Sequence, residues 1–316
     1  LNFACSCKLH GIDMKKVLVF AGNKELVPMV EATEALGVYH PAFASVSKKA
    51  SNDYLDRVFV DMMWYKAFSV YLVLRQGVNI LFQDADLVWF RDPFPYFQAL
   101  NGTGLTDTSV QRGKEVLGYF SDDGQRSKRF SPYFFNSGFY YLKSTERTQY
   151  FAWSIMTDFD AVQVTGSHQN VFTLRLVEGT QGFGLGAAFT QILPPFEFPN
   201  GILYHHNKKY MDRLRKQEED PYHFHMCWTQ GKPQKLEYLR KAKMWYLSDT
   251  CSPLETLIHP KGKMYNEIMT KDSGNKRSGL QWLNTSSPET ESSAFVRQQC
   301  CVPTGLSKRE LEQDLR

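Results

Sequence analysis

The sequence predicts an α/β fold in which a mostly parallel or mixed central sheet is flanked by helices. Two observations carry this prediction. Short apolar segments, several of them ending at glycine, alternate along the chain with longer segments whose apolar residues recur at helical spacing. The clearest example is residues 61–76, a predicted helix closed by Gly77 and followed at once by the apolar strand 78–83. A helix, a glycine and a buried strand in this order form half of a βαβ unit.

The other elements are assigned from the same signals. Helices begin at capping residues, such as Ser144 or Thr145 and Ser167, and end at glycine. The predicted strands are 15–22, 116–121, 137–144 and part of 187–195, and the predicted helices are 23–37, 145–159 and 167–179. The pattern decays beyond about residue 247. Residues 251–316 are rich in polar residues, glycine, serine and proline, so we expect an irregular, partly disordered tail.

Composition excludes several classes of protein. Of the 316 residues, 42% are hydrophobic and 22% are charged, which is typical of a globular protein and not of a disordered or collagen-like one. The net charge of +4 is too small to indicate nucleic-acid binding. No apolar run approaches the roughly 18 residues that a membrane helix needs. The start of the chain lacks the pattern of a signal peptide.

The cysteines leave the redox compartment open. There are six, at positions 5, 7, 227, 251, 300 and 301. They contain no CxxC pair, so the spacing of a zinc ribbon is missing. The even number allows disulfides, and two N-glycosylation sequons begin at Asn101 and Asn284. Reduced, buried cysteines in a cytosolic protein explain the same residues equally well.

Two aspartates, Asp84 and Asp86, directly follow the predicted strand 78–83. Alternate residues of an extended backbone project to one side, so both carboxylates would face the same point beyond the strand. Ligands bind there in open α/β sheets, and a hard divalent cation relieves the repulsion between two carboxylates. The alternative is a turn in which aspartate accepts backbone hydrogen bonds. The aromatic, arginine-containing segment that follows favours the metal site, whereas Asp92 is expected to be a turn or cap residue.

Residues 64–94 read WYKAFSVYLVLRQGVNILFQDADLVWFRDPF. This stretch resembles the nucleotide-diphospho-sugar transferase domain of glycosyltransferase family 77, which includes plant and algal arabinosyl-, xylosyl- and galactosyltransferases. The resemblance continues in the same order at SPYFFNSGFYYLKST (131–145), HQN (168–170), FPNG (198–201), HMCWTQGKPQK (225–235) and MWYL (244–247). It covers about residues 10–250.

The resemblance implies a GT-A-like, Rossmann-type single domain over residues 1–250. The implied reaction is the transfer of a sugar, a pentose or galactose, from a UDP-sugar to a glycan or glycoprotein, with retention of the anomeric configuration. It requires Mn²⁺ or Mg²⁺. The sequence offers no obvious nucleophile for a covalent intermediate, which favours attack on the face that the diphosphate leaves.

Family members act in the lumen of the Golgi and the secretory pathway as type II membrane proteins. We therefore expect a membrane anchor outside this chain and a first nucleotide-binding strand before Leu1. The expected partners are the UDP-sugar donor and the glycan or glycoprotein acceptor, and no nucleic acid is expected.

The resemblance also implies roles for charged residues. Asp86 is the expected direct metal ligand and a catalytic residue, and Asp84 is expected to contact the ribose and the metal. His225 would complete the metal shell, with His223 as the alternative, since imidazole also binds Mn²⁺. Accessible backbone N–H groups and basic side chains are expected to hold the diphosphate. These donor-binding residues are Lys66, Gly231, Lys232 and Lys235; for Lys66, a snorkelling side chain is the alternative.

Two further segments are assigned to the sugar side of the site. Asn136 and Gln169 are expected to contact sugar hydroxyls and to take part in catalysis, because an amide offers two donors and an acceptor. Their neighbours Ser137, Gly138 and His168 share the sugar and acceptor assignment. A turn that requires glycine and a capping cluster at 168–170 explain the same residues equally well.

Two rival functions stay open on the residues alone. A HAD-type phosphohydrolase would use Asp84 as nucleophile, Asp86 as acid/base and residues 121–124 as a distal acidic motif. Against it, that motif normally opens its domain, whereas about 80 residues come first here. A lectin-like module without catalysis is the second rival. The segment GFGLGA (182–187) matches a dinucleotide-binding pattern, but no clear strand precedes it, so a loop is expected.

Overall fold

The computed structural model describes residues 2–45, 56–102, 116–124, 134–181, 190–229, 231–247 and 301. These residues belong to two compact units. Unit 1 combines residues 1–48 with residues 246–304, and unit 2 combines residues 49–245 with residues 305–316. The predicted division of the chain at residue 250 stays a prediction, because residues 248–300 lie outside the described ones. The same holds for the loop predicted at 182–187.

In the described part of unit 1, the chain forms a pair of short parallel strands and two α-helices. These are α1 (Asn2–Leu9), β1 (Leu18–Phe20), α2 (Val27–Glu31) and β2 (Leu36–Val38). The strands pair with Leu18 beside Leu36, and β1 confirms the strand predicted at 15–22. The helix predicted for residues 23–37 is wrong in its second half, where the chain forms β2. Gly37 does not end a helix: a Cβ there would lie 3.0 Å from Cγ1 of Val27, so glycine lets the strand approach α2.

A disulfide links Cys5 to Cys301 within unit 1, with their Cα atoms 5.3 Å apart. For these two cysteines, the structure decides the choice between thiol and disulfide that the sequence leaves open. Cys7 and Cys227 are free thiols. The other two cysteines lie outside the described residues.

Unit 2 contains the remaining described helices and strands. The helices are α3 (Arg57–Leu74), α4 (Phe94–Gly102), α5 (Glu146–Thr157), α6 (Phe159–Thr165), α7 (His168–Gln181), α8 (Gly201–His206), α9 (Lys208–Arg215) and α10 (Lys232–Lys241). The strands are β3 (Ile80–Gln83), β4 (Leu87–Trp89), β5 (Gly118–Asp122), β6 (Phe135–Leu142), β7 (Thr190–Ile192) and β8 (His223–His225). The long helix predicted at 61–76 and the capped helices predicted from 145 and 167 are confirmed as α3, α5 and α7.

The central sheet of unit 2 is mixed, with the strand order β3-β6-β5-β7. β5 and β7 run parallel, whereas β6 is antiparallel to both β3 and β5. The α/β fold and the mixed sheet are as predicted. The parallel pairing suggested for the strand at 78–83 is wrong, since β3 is an edge strand that pairs antiparallel with β6. An apolar run records burial but does not record the direction of the neighbouring strand.

Helices α3, α5 and α7 pack with the sheet to form the core of unit 2. Leu74, Phe120, Leu142 and Phe151 are among the residues that this cluster buries. Stacking of Phe120 on Tyr140, with ring centroids 5.4 Å apart, fixes the middle of β5 against β6. The rigid sheet that results carries the polar residues described below at one end of β3 and β6. Among the described helices, none is long and apolar enough to cross a membrane.

Candidate active site

Asp84, Asp86 and His225 converge in unit 2. One ligand atom from each lies within 4.8 Å of the others, and Nε2 of His225 lies 3.2 Å from Oδ1 of Asp86. The predicted convergence of the two aspartates is therefore confirmed. Its cause differs from the prediction, because Ala85 and Asp86 form a turn between β3 and β4 instead of extending the strand.

The antiparallel pairing of β3 and β6 brings two predicted motifs together. The end of β3 meets the beginning of β6, and the backbone N–H of Asp84 donates to the carbonyl of Gly138 over 2.8 Å. A Cβ at Gly138 would overlap the ring of His225 and lie 2.9 Å from Oδ2 of Asp84. Only glycine allows the carboxylate and the imidazole to approach this strand so closely.

Strand β8 places His225 next to the turn. The N–H of Met226 donates to the carbonyl of Asp86 over 3.1 Å, and the N–H of His225 donates to the carbonyl of Pro199. The side chain of His225 is 2% exposed, and its Nδ1 has no hydrogen-bond partner among the described residues. The alternative ligand, His223, is instead enclosed by aromatic rings, with the ring of Phe139 4.1 Å away. The geometry thus favours His225 over His223.

Two lysines pair with the aspartates. Nζ of Lys66, on α3, lies 2.6 and 2.8 Å from the two carboxylate oxygens of Asp84. Nζ of Lys235, on α10, lies 2.5 Å from Oδ2 of Asp86. Burial alone would raise the pKa of Asp86, but His225 and Lys235 outweigh burial and hold that pKa well below its usual range. We call Lys66, Asp84, Asp86, His225 and Lys235 the charged half of the site.

A second cluster lies beside the charged half and consists of hydrogen-bonded amides and hydroxyls. Nδ2 of Asn136 donates to Oδ1 of Asp123 over 2.7 Å, and its Oδ1 accepts from the N–H of Gly138 over 2.9 Å. Oε1 of Gln169 accepts from both the N–H and the hydroxyl of Ser137, over 2.8 and 3.0 Å. We call Asp123, Asn136, Ser137 and Gln169 the amide half of the site.

Asp123 is a member of this cluster that sequence reasoning missed. Its side chain is buried, and burial raises its pKa, while hydrogen bonds from Asn136 and Gln169 act in the opposite direction. The sequence offered a signal, the SDDG segment, but it was assigned to the rival phosphatase motif. A β-bulge between Phe120 and Ser121 shifts the register of β5 and sets Ser121 opposite Asn136, which brings this segment to the site.

The structure brings the remaining predicted residues to the site unequally. Gly231 is the N-cap of α10, so the helix that carries Lys235 begins there, and no side chain caps its first turn. Lys232 is exposed and has no partner in the part of the chain that the structure describes. His168 is 1% exposed at the start of α7, and neither ring nitrogen has a described hydrogen-bond partner. Burial, then the charge of Lys66, lowers the pKa of His168 well below its usual value.

The residues of the charged half fit a divalent cation of the Mn²⁺ type. Two carboxylates and one imidazole offer the oxygen and nitrogen ligands that such an ion accepts. The ligand atoms of the three residues converge, and the ammonium groups of Lys66 and Lys235 balance the charges of the two carboxylates. A bound cation could take over this balancing role.

Two plant enzymes are similar to this chain. It is 23% identical over 253 residues to the β-arabinofuranosyltransferase RAY1 of Arabidopsis thaliana, a match covering 76% of this chain and 44% of that protein. It is 25% identical over 203 residues to the UDP-D-xylose:L-fucose α-1,3-D-xylosyltransferase 1 of the same plant, covering 61% of this chain and 50% of that protein. The chain thus spans half or less of the length of these relatives. Neither relative is a phosphohydrolase, so nothing here supports that rival.

Two solved structures are more distant. A glycosyltransferase involved in glycosylation of the major capsid of PBCV-1 is 11% identical, with a TM-score of 0.37 over 70% of this chain and 98% of that chain. Mouse xyloside xylosyltransferase 1 in its apo form is 9% identical, with a TM-score of 0.37 over 72% of this chain and 93% of that chain.

The model of the nucleotide-diphospho-sugar transferase family matches residues 13–239, more than half of the chain. The match includes both halves of the site, from Lys66 to Lys235. It confirms the predicted domain type and gives no support to the phosphohydrolase alternative. The chain belongs to the nucleotide-diphospho-sugar transferase family.

Proposed function

We propose that the protein is a metal-dependent, retaining glycosyltransferase of family 77 that moves a pentose or galactose from a UDP-sugar to a glycan or glycoprotein. The observation that carries the proposal is the convergence of Asp84, Asp86 and His225 between two lysines. A pyrophosphate needs a cation and positive side chains at one place, and this cluster supplies both.

Asp84, Asp86 and His225 would hold Mn²⁺ or Mg²⁺, with Asp84 also within reach of the ribose. When bound, the ion supplies Lewis-acid stabilisation of the charge that grows on the departing diphosphate. Lys66 and Lys235 already lie against the carboxylates and would turn to the phosphate oxygens as the donor enters. Gly231 and Lys232, at the start of α10, would extend this phosphate-binding side of the site.

The amide half would bind and orient the transferred sugar. Asn136 and Gln169 have their amide groups fixed by Asp123, Ser137 and Gly138, so little conformational freedom would be lost when a sugar binds. His168, Ser137 and Gly138 would line the same side.

Retention without a covalent intermediate is supported by the state of the nearby nucleophiles. The carboxylate of Asp123 is occupied by Asn136. The thiol of Cys227 is 3.6 Å from Nδ2 of Asn136, and burial, then the charge of Asp123, raises its pKa well above the usual value. An acceptor hydroxyl attacking on the leaving-group face would pass its proton to the departing diphosphate. The new glycosidic bond then forms as the bond from the sugar to the diphosphate breaks.

The donor and the compartment follow from the relatives and from unit 1. The names of the two plant relatives refer to arabinose and xylose transfer, so pentoses are the first candidate donors. The disulfide between Cys5 and Cys301 is typical of an oxidising compartment. Together they support a place in the lumen of the Golgi, as the lumenal part of a type II membrane protein.

A donor panel tests the proposal. The protein is incubated with UDP-xylose, UDP-arabinose and UDP-galactose, with Mn²⁺, Mg²⁺ or a chelator, and UDP release is measured with and without glycan acceptors. We expect release from a pentose or galactose donor that requires the metal, and early-product NMR that shows the donor's own anomeric configuration. A product of inverted configuration would contradict the retaining mechanism, and UDP release without metal would contradict the proposed metal requirement. Release from no donor, together with no binding of UDP in Mn²⁺, would contradict the whole proposal.

A further inference from the structure

Trp228 combines exposure with a backbone conformation that tryptophan rarely adopts. Its φ is +60°, in the left-handed region, and its side chain is 40% exposed. Within the described part of the chain, the other non-glycine residues with positive φ are Glu34, Gln217 and Lys243, none of which is aromatic. A bulky residue in this conformation persists only where the surrounding structure imposes it, and such residues concentrate at functional sites.

The neighbours of Trp228 impose this conformation. The indole Nε1–H donates to the backbone carbonyl of Asp123 over 2.8 Å. Gly201 packs so closely on this segment that a Cβ there would overlap the carbonyl of Cys227 and lie 3.2 Å from Cβ of Trp228. The segment 227–228 is therefore held from two sides, by the indole hydrogen bond and by the close packing of Gly201.

The indole face has no stacking partner among the described residues. The ring that the structure records beside it, His206, meets it edge-on, with centroids 6.2 Å apart and planes at 90°. Burial of the ring therefore does not offset the unfavourable backbone. The protein instead holds a flat apolar surface toward solvent at the edge of the site.

Trp228 is tied to the amide half and not to the lysines. Its partner Asp123 accepts from Asn136, and Asn136 accepts from Gly138, whose Cα lies next to Asp84 and His225. A saccharide ring has one face of C–H groups that stacks on an aromatic ring and a rim of hydroxyls that amides bind. The place of Trp228 suits such a ring better than it suits a phosphate.

We propose that Trp228 is the stacking wall for a saccharide ring of the acceptor, which makes the acceptor a glycan or glycoside and not a bare protein hydroxyl. This inference rests on the proposed function, since it names the second substrate of the same site. It assigns to Trp228 a role in acceptor binding that is separate from binding of the donor nucleotide.

Saturation-transfer NMR with methyl glycosides of fucose, galactose, xylose and arabinose tests the inference directly. The wild type, Trp228→Ala, Trp228→Phe and Trp228→Asn are compared, with Trp153→Ala as the matched control. Trp153 is 42% exposed on α5, where its ring neighbour is Tyr150. We expect Trp228→Ala and Trp228→Asn to weaken binding of at least one glycoside tenfold or more. Trp228→Phe should stay within about threefold of the wild type because it keeps an aromatic face.

UDP affinity in Mn²⁺ and the melting temperature are measured on the same variants. Asparagine tolerates the left-handed backbone, so Trp228→Asn provides a folded variant if Trp228→Ala unfolds at room temperature. The proposal expects UDP affinity within about twofold of the wild type in all of them. Equal losses of glycoside and UDP binding would indicate a structural role or a nucleobase site, and would overturn it.

Two further results would also overturn the inference: glycoside binding by Trp228→Ala and Trp228→Asn at the wild-type level, and wild-type protein that binds none of the four glycosides. Failure of the proposed function has a different signature, because then UDP is neither bound in Mn²⁺ nor released from any donor. In either case, the saturation-transfer NMR experiment with the methyl glycosides tests the role of Trp228 separately.

Discussion

The two halves of the site are stabilised in opposite ways. In the charged half, Lys66 and Lys235 form ion pairs with Asp84 and Asp86, and the proposed cation and pyrophosphate would replace these contacts. In the amide half, Asn136 and Gln169 are fixed by neighbours on both sides of each amide group. The difference indicates that one half is built to exchange partners and the other is built to keep its shape.

Substitution of Asp86 should break the charged half most completely. Asp86→Asn removes the charge that His225 and Lys235 both contact, so we expect kcat to fall about 10³-fold or more, with loss of Mn²⁺ binding by calorimetry. Asp92→Asn is the control, because Asp92 accepts a hydrogen bond from the N–H of Phe94, which asparagine can also accept. Full activity of Asp86→Asn would show that the reaction does not need this carboxylate.

Gly138→Ala tests the contact between the two halves. The new methyl group would overlap the ring of His225 and lie 3.0 Å from Oδ1 of Asn136, so both halves must shift. A displacement of about 1 Å costs about 100-fold in rate. The control is Gly22→Ala, since a Cβ at Gly22 meets nothing within 4 Å. Steady-state kinetics that left Gly138→Ala at the control level would contradict this packing.

Asp123→Asn should weaken the amide half while sparing the charged half. The amide of Asn136 loses a charged acceptor, and a hydrogen bond to a charged group contributes about 1.5–3 kcal/mol. We expect transfer to slow about tenfold, with UDP affinity in Mn²⁺ unchanged by calorimetry. Asp160→Asn, an exposed substitution in the first turn of α6, serves as the control. A parallel loss of UDP affinity would mean that the two halves do not act separately.

Lys66→Ala should have effects of opposite sign on two ligands. The lysine competes with a cation for Asp84, and a partly exposed ion pair contributes up to about 1 kcal/mol. We therefore expect Mn²⁺ alone to bind up to about fivefold more tightly and UDP in saturating Mn²⁺ to bind more weakly. Lys241→Ala, which removes an exposed i,i+4 pair with Glu237, is the control. Weaker binding of Mn²⁺ by Lys66→Ala would refute the exchange of partners.

His168 provides a test on stability instead of ligand binding. Because its pKa is lowered by burial, the unfolded state binds more protons below about pH 6.5. The contribution of His168 to the free energy of unfolding is therefore fully present above that pH. It is lost as the pH falls toward the pKa of the folded state, by up to about 1.4 kcal/mol per pH unit. Urea unfolding of His168→Gln between pH 7.5 and pH 5.5 should show a smaller decline. An unchanged decline would mean that His168 is not the residue that takes up the proton.

The charged half could be predicted because its residues stand in recognisable segments. The two aspartates follow a strand, and His225 and Lys235 follow one another in a short motif, so their residue types carry the chemistry. Which of His223 and His225 faces Asp86 depends on the rings around β8, and that choice rested on the family resemblance.

The amide half could be predicted only in part, and the role of Trp228 could not be predicted at all. Asn136 and Gln169 were selected from the family pattern, but Asp123 depends on a bulge in β5 that shifts its register. The left-handed backbone of Trp228 is imposed by Gly201, 27 positions earlier, and no local signal encodes it. Likewise, the apolar pattern at 78–83 predicts a strand but not that its neighbour runs antiparallel.

The bond between Cys5 and Cys301 spans 296 positions, so unit 1 is built from two segments that lie far apart in the sequence. During synthesis the ribosome delivers the residues of unit 2 up to 245 well before Cys301 emerges. Residues 1–48 of unit 1 are therefore synthesised well before residues 246–304, with which they form the unit. A protein translated into an oxidising lumen would thus acquire this crosslink only after the residues of unit 2 up to 245 have been made. A chain cut short before position 301 would leave Cys5 as an unpaired thiol.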